Sequence, residues 1–210
     1  WQWLRNDEVS QNFSLTEIVS KKSVFEVITS YISLGFQHIL PRGTDHILFI
    51  LGLFLLSAHL RPLLWQVTMF TIAHTITLGL AMNHIVQLPA TIVEPLIALS
   101  IAYVGVENIF VKHLHRSRLF LVFGFGLLHG LGFASVLSDF GMPKGDFAEA
   151  LISFNVGVEL GQLAVISIAF LMLRFWFRDQ QKYRRFIVVP GSVFISIIGG
   201  YWFLDRLELF

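Results

Sequence analysis

The sequence predicts an all-α membrane protein, a bundle of six transmembrane helices preceded by a short amphipathic or broken outer-face helix. Three observations carry this expectation. Of the 210 residues, 55% are hydrophobic and only 14% charged, whereas a soluble domain carries about 25% charged residues. Mean hydropathy is +0.69. The apolar residues also fall into six long runs, each near the roughly 20 residues needed to cross a bilayer. The short alternating segments of a transmembrane β-barrel are absent.

Residues 1–23 are polar and mixed, with Arg5, Asp7, Glu8, Lys21 and Lys22. They read as an outer-face segment ahead of a single transmembrane domain, residues 24–210. Residues 24–40, VFEVITSYISLGFQHIL, are apolar but hold Glu26, Gln37 and His38. They predict a short interfacial helix or the first half of a broken one, which Pro41, Arg42 and Gly43 then interrupt. Spans one to six are expected at 44–60, 63–83, 91–111, 118–138, 146–175 and 185–205, the first being short. Trp65, Trp176, Tyr183, Tyr201 and Trp202 fall near span ends, as interfacial aromatics do.

Orientation follows from Lys and Arg. One side collects Arg61, Lys112, Arg116, Arg118, Arg174, Arg178, Lys182, Arg184 and Arg185. The other has Arg5, Lys21, Lys22, Arg42, Lys144 and Arg206. Among the connecting loops of that second side, 84–90 has no Lys or Arg and 139–145 has only Lys144. The first side is therefore expected in the cytoplasm and both termini outside. This predicts a multi-pass protein of a bacterial inner membrane with a periplasmic N-terminus. Trp1 is not a Met, so a leader or a larger N-terminal region is expected ahead of it.

Composition excludes several function classes. Cysteine is absent, which rules out disulfides, thiolate metal sites and cysteine nucleophiles. The net charge of +1 and the lack of a basic tail give no reason to expect nucleic acid. The expected partners are the lipid bilayer, a metal ion, and a periplasmic metal donor or the chain's own N-terminal region.

The informative feature is polar. His46, His74 and His129 lie within spans and His38 just before the first, in company with Asp45, Glu94, Glu107 and Glu159. A charged Asp, Lys or Arg at the centre of a span costs at least about 2.5–3.5 kcal/mol. Asp45 and His46 open span one at the outer face, and Glu94 opens span three there. His74 is near the middle of span two, and His129 is somewhat outward of the middle of span four. Asn155, Glu159 and Gln162 share one face of span five. Glu107 lies deep in span three toward the cytoplasm, about 20 Å from Glu94 along a straight helix. The set reads as a ladder with an upper site (His38, Asp45, His46, Glu94) and a lower one (His74, His129, Glu159). Gly126 and Gly130, and Gly157 and Gly161, form GxxxG pairs that let helices approach closely. Packing of span four on span five there would set His129 near Asn155 and Glu159.

Imidazole with carboxylate and no sulfur suits Ni(II), Co(II), Zn(II) or Fe(II) and argues against Cu(I). For conduction, ligands must bind well enough to strip water without trapping the ion. Each residue also has a plainer reading. His74 beside Thr71 and Thr75 fits an interhelical hydrogen bonder, Asp45 and Glu94 fit helix N-terminal charges, and Asn155, Glu159 and Gln162 fit a polar seam. His59, His84, His113 and His115 lie in loops.

The segments GFQHILPRGTDHILFILGLFLL, FTIAHTITLGLA, IVEPLIALSIAYVGVENI, FGFGLLHGLGFA and FNVGVELGQLAV together resemble the HupE/UreJ family. The resemblance covers about residues 33–170 and implies a nickel or related divalent-metal permease, often linked to hydrogenase or urease maturation. The family's His followed by Gly-x-Asp-His maps onto His38, Gly43, Asp45 and His46, with Ile39 where Pro is usual and a spacing one residue longer. Its Phe-His-Gly-x-Ala-x-Glu motif maps onto Leu128, His129, Gly130, Gly132 and Ala134. The carboxylate of that motif is thus missing, and Glu159 is a candidate replacement.

Two expectations follow. The first is transport of a divalent ion (Ni, Co or Zn) captured by His38, Asp45 and His46 and passed to His74, His129 and Glu159. The second is an intramembrane zinc-type metalloenzyme, in which three His would leave an open position for water. No His-Glu-x-x-His and no Gly-x-Ser-x-Gly occurs. A membrane accessory subunit that presents metal to a partner is a third reading.

Overall fold

The computed structural model describes residues 23–56, 59–111, 114–115, 117–140, 146–173 and 179–208. The polar segment 1–22, Trp176, His113 and the loop cations Lys112, Arg116, Lys144, Arg174 and Arg178 lie outside the described residues. The described chain is all-helical: α1 (Val24–Ile39), α2 (Thr44–Leu56), α3 (Leu60–Met82), α4 (Ala90–Phe110), α5 (Ser117–Phe140), α6 (Phe147–Leu173), α7 (Gln180–Tyr183), a π turn (Arg184–Val188) and α8 (Val189–Asp205). Five helices are long and apolar enough to cross a membrane, counting α7 through α8 as one. Their surfaces stay apolar: Phe120, Phe110, Met172 and Ile197 are each more than 60% exposed, which suits lipid rather than water.

Span one differs from the expected one. A single helix over 44–60 was anticipated, but α2 ends at Leu56 after 13 residues. That is about 20 Å, against a hydrocarbon core of about 30 Å. It passes the span criteria only together with α1, from which it is bent by 70°. Of the two forms expected for 24–40, the structure has the broken one. A capping box starts α1: Ser23 Oγ accepts from the Glu26 backbone N–H (3.2 Å) and Glu26 Oε2 accepts from the Ser23 N–H (2.8 Å). Pro41 then removes a donor and stops the helix. The Leu40–Pro41 bond is cis, and Gly43 sits so close to the His38 carbonyl that a Cβ would collide with it.

The glycines determine which helices touch. A Cβ on Gly157 would fall on the Ile32 carbonyl, and one on Gly161 would fall on Ile39, so α1 runs parallel to α6. Gly126 packs on Phe70 and Ala73, and Gly130 on His74 and Thr77, so α5 runs parallel to α3. The expected pairing of spans four and five through their GxxxG motifs is therefore corrected. Both motifs are used, but each against a different helix. Small residues specify that a backbone approaches, not which one. The third pair is antiparallel, with Gly105 of α4 on Ser192 and Ser196 and Gly199 of α8 on Ala98 and Ala102.

One end of the bundle is tied by arginines. Arg118 opens α5 almost fully buried, 3.1 Å from the Glu107 carboxylate. Both of its terminal nitrogens donate to Asn108 Oδ1 at 3.2 Å, and the Asn108 amide donates to the Gly52 carbonyl at 2.7 Å. Arg184 donates to the Ile109 and Val111 carbonyls (2.8 and 3.1 Å). It thereby satisfies the orphan acceptors at the end of α4 and complements its dipole.

Two stability predictions follow. Gly157→Val overpacks the α1–α6 contact and costs about 1–3 kcal/mol, read as a lower melting temperature in detergent. Gly200→Ala, at a site with nothing within 4 Å of a new Cβ, leaves it unchanged. Glu107→Ala strands the buried Arg118 and costs about 3 kcal/mol, and the Glu107→Ala/Arg118→Met double variant regains most of the loss.

Candidate metal centre

The break between α1 and α2 builds the site. His38 lies in the last turn of α1 and His46 in the first turn of α2. The bend over residues 40–43 sets their rings edge to face, centroids 4.7 Å apart. His74, in the interior of α3, is 6.0 Å from each. One ligating nitrogen from each of His38, His46 and His74 lies within 4.8 Å of the other two. His129, in α5, is outside that triad, but its ring is 4.8 Å from His46. Phe133, Phe154, Phe70 and Phe49 wall the four rings at 3.8–6.4 Å.

Hydrogen bonds fix which nitrogen of two of these histidines carries a lone pair. The Asn155 amide nitrogen donates to the Leu151 carbonyl (2.9 Å), which turns Asn155 Oδ1 toward His74 Nδ1 at 3.0 Å. Oδ1 can only accept, so His74 Nδ1 carries the proton and Nε2 is bare. Ser100 commits its hydroxyl proton to the Ile97 carbonyl at 2.7 Å, so its oxygen accepts from His129 Nε2 at 3.2 Å. His129 Nδ1 is then bare. These two nitrogens, with Nε2 of His38 and Nε2 of His46, are buried without a hydrogen-bond partner. An unsatisfied buried polar group costs about 1–3 kcal/mol. Four in one place, two of them oriented by dedicated partners, form a donor set that could hold a metal ion.

A cavity of about 410 Å³ reaches this cluster. His38, His46 and His129 line it on the inside, and Asp45, Glu94, Arg42 and Arg206 nearer its mouth. Arg206 forms an ion pair with Asp45 at 2.8 Å and donates to the Glu94 carbonyl at 3.1 Å.

The sequence expectation of an upper and a lower site is regrouped. His74 joins His38 and His46 rather than pairing with His129 and Glu159, because α1 lies against α6 and carries His38 to the level of His74. Glu159 accepts from Thr68 at 2.7 Å and Gln162 from Thr71 at 3.2 Å. With Asn155 on His74, the shared face of span five is a polar seam between α6 and α3. Glu107 is taken by Arg118. Asn155 faces His74 and orients it. Asp45 and Glu94 belong to the mouth. His59 opens α3, and His84 pairs with Gln87 in the following loop, both apart from the cluster. Sequence reasoning missed Ser100, Arg118 and Arg206. Arg118 and Arg206 were counted only for orientation, and a lone span serine carries no signal of its own.

The family model described as HupE / UreJ protein matches residues 15–206. No curated protein and no solved structure matches the chain. The matched region includes both halves of the broken span, all four clustered histidines and the last helix. By that match over nearly its whole length, this multi-pass helical membrane protein belongs to the HupE/UreJ family.

Proposed function

We propose that the chain is a permease for a divalent transition-metal ion, nickel first, with cobalt or zinc as the other cargoes. The observation that supports this most is the set of four buried imidazole nitrogens without partners, reached from one end by a cavity. The Lys and Arg distribution makes that end the periplasmic face. The ion is gathered at Asp45 and Glu94 and passes to His38, His46 and His74, with His129 alongside as the next donor.

The donor set fits the cargo. Neutral imidazole binds nickel, cobalt and zinc. A metal at about 2.0–2.1 Å from all three nitrogens would draw them together by roughly an ångström, a movement that side chains flanking a helix break can make. Beyond the triad the path is shut by Phe49 and Phe70, both buried, and then by the Asn108–Arg118 network. On this reading the described residues correspond to one of the two states alternating access requires, with the site reached from the cavity side.

A second reading shares the same three imidazoles, since a His₃ set with an open position is also that of hydrolytic zinc. Metal content separates them. One ion retained per chain through gel filtration favours the enzyme, and exchangeable binding with flux favours the permease.

In proteoliposomes, the wild type is expected to take up labelled Ni, Co or Zn. His46→Ala and His129→Ala each abolish this uptake while expression and melting temperature stay near wild type. Flux absent for all three ions with folded protein overturns the permease reading. Asn155→Ala frees the His74 ring and lowers metal affinity about 10- to 100-fold by calorimetry. Asn155→Asp keeps the acceptor and most of the affinity.

A further inference from the structure

We propose that Arg206 is a tethered competitor for the incoming ion: its guanidinium occupies the Asp45 carboxylate at the cavity mouth and must be displaced before a divalent cation reaches the histidines. This rests on the permease reading of the same site. Arg206 is the first residue beyond α8. Its Nη2 lies 2.8 Å from Asp45 Oδ2, its Nη1 donates to the Glu94 carbonyl, and its guanidinium lies over the Trp202 ring at 5.5 Å. Asp45 directly precedes His46, so the carboxylate held by the arginine adjoins one of the triad. Arg206, Asp45 and His46 all line the one cavity.

The energetics suit exchange. The two side chains are 23% and 22% exposed, so the pair is only partly buried and stands where an ion entering the cavity can reach it. The guanidinium is a planar cation whose fork of donors matches a carboxylate. While it stays in place it neutralises Asp45 and repels cations from the mouth. A divalent ion brings twice the charge to the carboxylate and has imidazoles to go on to, so it can take the arginine's place. A monovalent ion has neither advantage. Arg206 is in this sense a selectivity residue that holds the mouth shut to weakly binding cations.

The plain alternative is a clip that ties the end of α8 to α2 and α4. Titration of Co(II) into the purified full chain in detergent micelles, read by cobalt absorption and calorimetry, separates the two. Arg206→Gln loses the charge and keeps an amide donor on a shorter side chain, and is expected to bind cobalt about three- to tenfold more tightly than wild type. Asp45→Asn binds more weakly. The Asp45→Asn/Arg206→Gln double variant gains less over Asp45→Asn than Arg206→Gln gains over wild type, since the arginine acts chiefly by occupying that carboxylate. Unchanged or weaker binding by folded Arg206→Gln overturns the proposal, as does a double variant that gains the full factor over Asp45→Asn. If the Gln variant does not fold, Arg206→Lys carries the test. Its single, more mobile contact predicts about twofold tighter binding, and equal binding overturns the proposal. In the same titration, wild type that binds no cobalt, or His46→Ala that binds as wild type does, defeats the permease site and this proposal together. A null result at Arg206 alone leaves the site standing.

Discussion

Everything at the centre of this protein depends on one interruption, the four residues from Leu40 to Gly43 that break a membrane helix and bend it by 70°. A continuous helix would put His38 and His46 eight residues apart, about 12 Å along the axis. The break puts their rings in contact. It also frees α1 to lie along α6, where Gly157 and Gly161 admit its backbone, and that packing carries His38 to His74. Irregular backbone at membrane depth is tolerated only where it is buried in protein or lines a cavity. Here it does both, and the residues that pack around it are the ones that form the site.

The second constraint is the satisfaction of polar groups. Away from the cluster, Asn108 pairs with Gly52 and Arg118, Thr68 with Glu159 and Thr71 with Gln162, and the buried atoms there without a hydrogen-bond partner, on Gln66, Glu107, Arg118 and Ser192, belong to side chains of four different kinds. At the cluster the pattern changes. Asn155 and Ser100 each spend a hydrogen on a backbone carbonyl, and their oxygens then face an imidazole. The effect is directional, since each fixes a proton on the nitrogen facing away from the free lone pair. A merely structural histidine would gain from having both nitrogens bonded.

Much of this was legible in the sequence, for physical reasons that also set the limit. Span lengths follow from bilayer thickness, and the break from Pro41 and Gly43, so helix existence could be read, and a broken helix was one of the two forms expected for 24–40. The histidines stood out because burying them without use is expensive. Depth was harder. Position along a span gives depth only if the helix starts at the membrane boundary, and α1 does not sit where an interfacial helix would. That one displacement merged the two expected sites into one. Helix pairing failed for a related reason, because the GxxxG faces of α5 and α6 are equally suited to any close neighbour. Asn155 was singled out for its chemistry, but only the position of α3 showed that it serves His74. Arg206 was counted as a charge, and its folding back on Asp45 depends on tertiary contacts that no local pattern encodes.

On the permease reading, the distribution of charge within the site bears on how a bound ion would be released. The triad is imidazole alone. Ala134, where a carboxylate would complete the family's motif, supplies no anion, and the nearest ones stand at the mouth or in pairs of their own: Asp45 with Arg206, Glu107 with Arg118, Glu159 with Thr68. A divalent ion among neutral donors, walled by phenylalanines, keeps its full charge in a poorly polarisable setting, where desolvation is only partly repaid. Carboxylates beside the imidazoles would deepen the well and slow release. A well made shallow by neutral ligands, with the compensating negative charge kept at the rim, meets the requirement that an ion bind strongly enough to enter and weakly enough to leave.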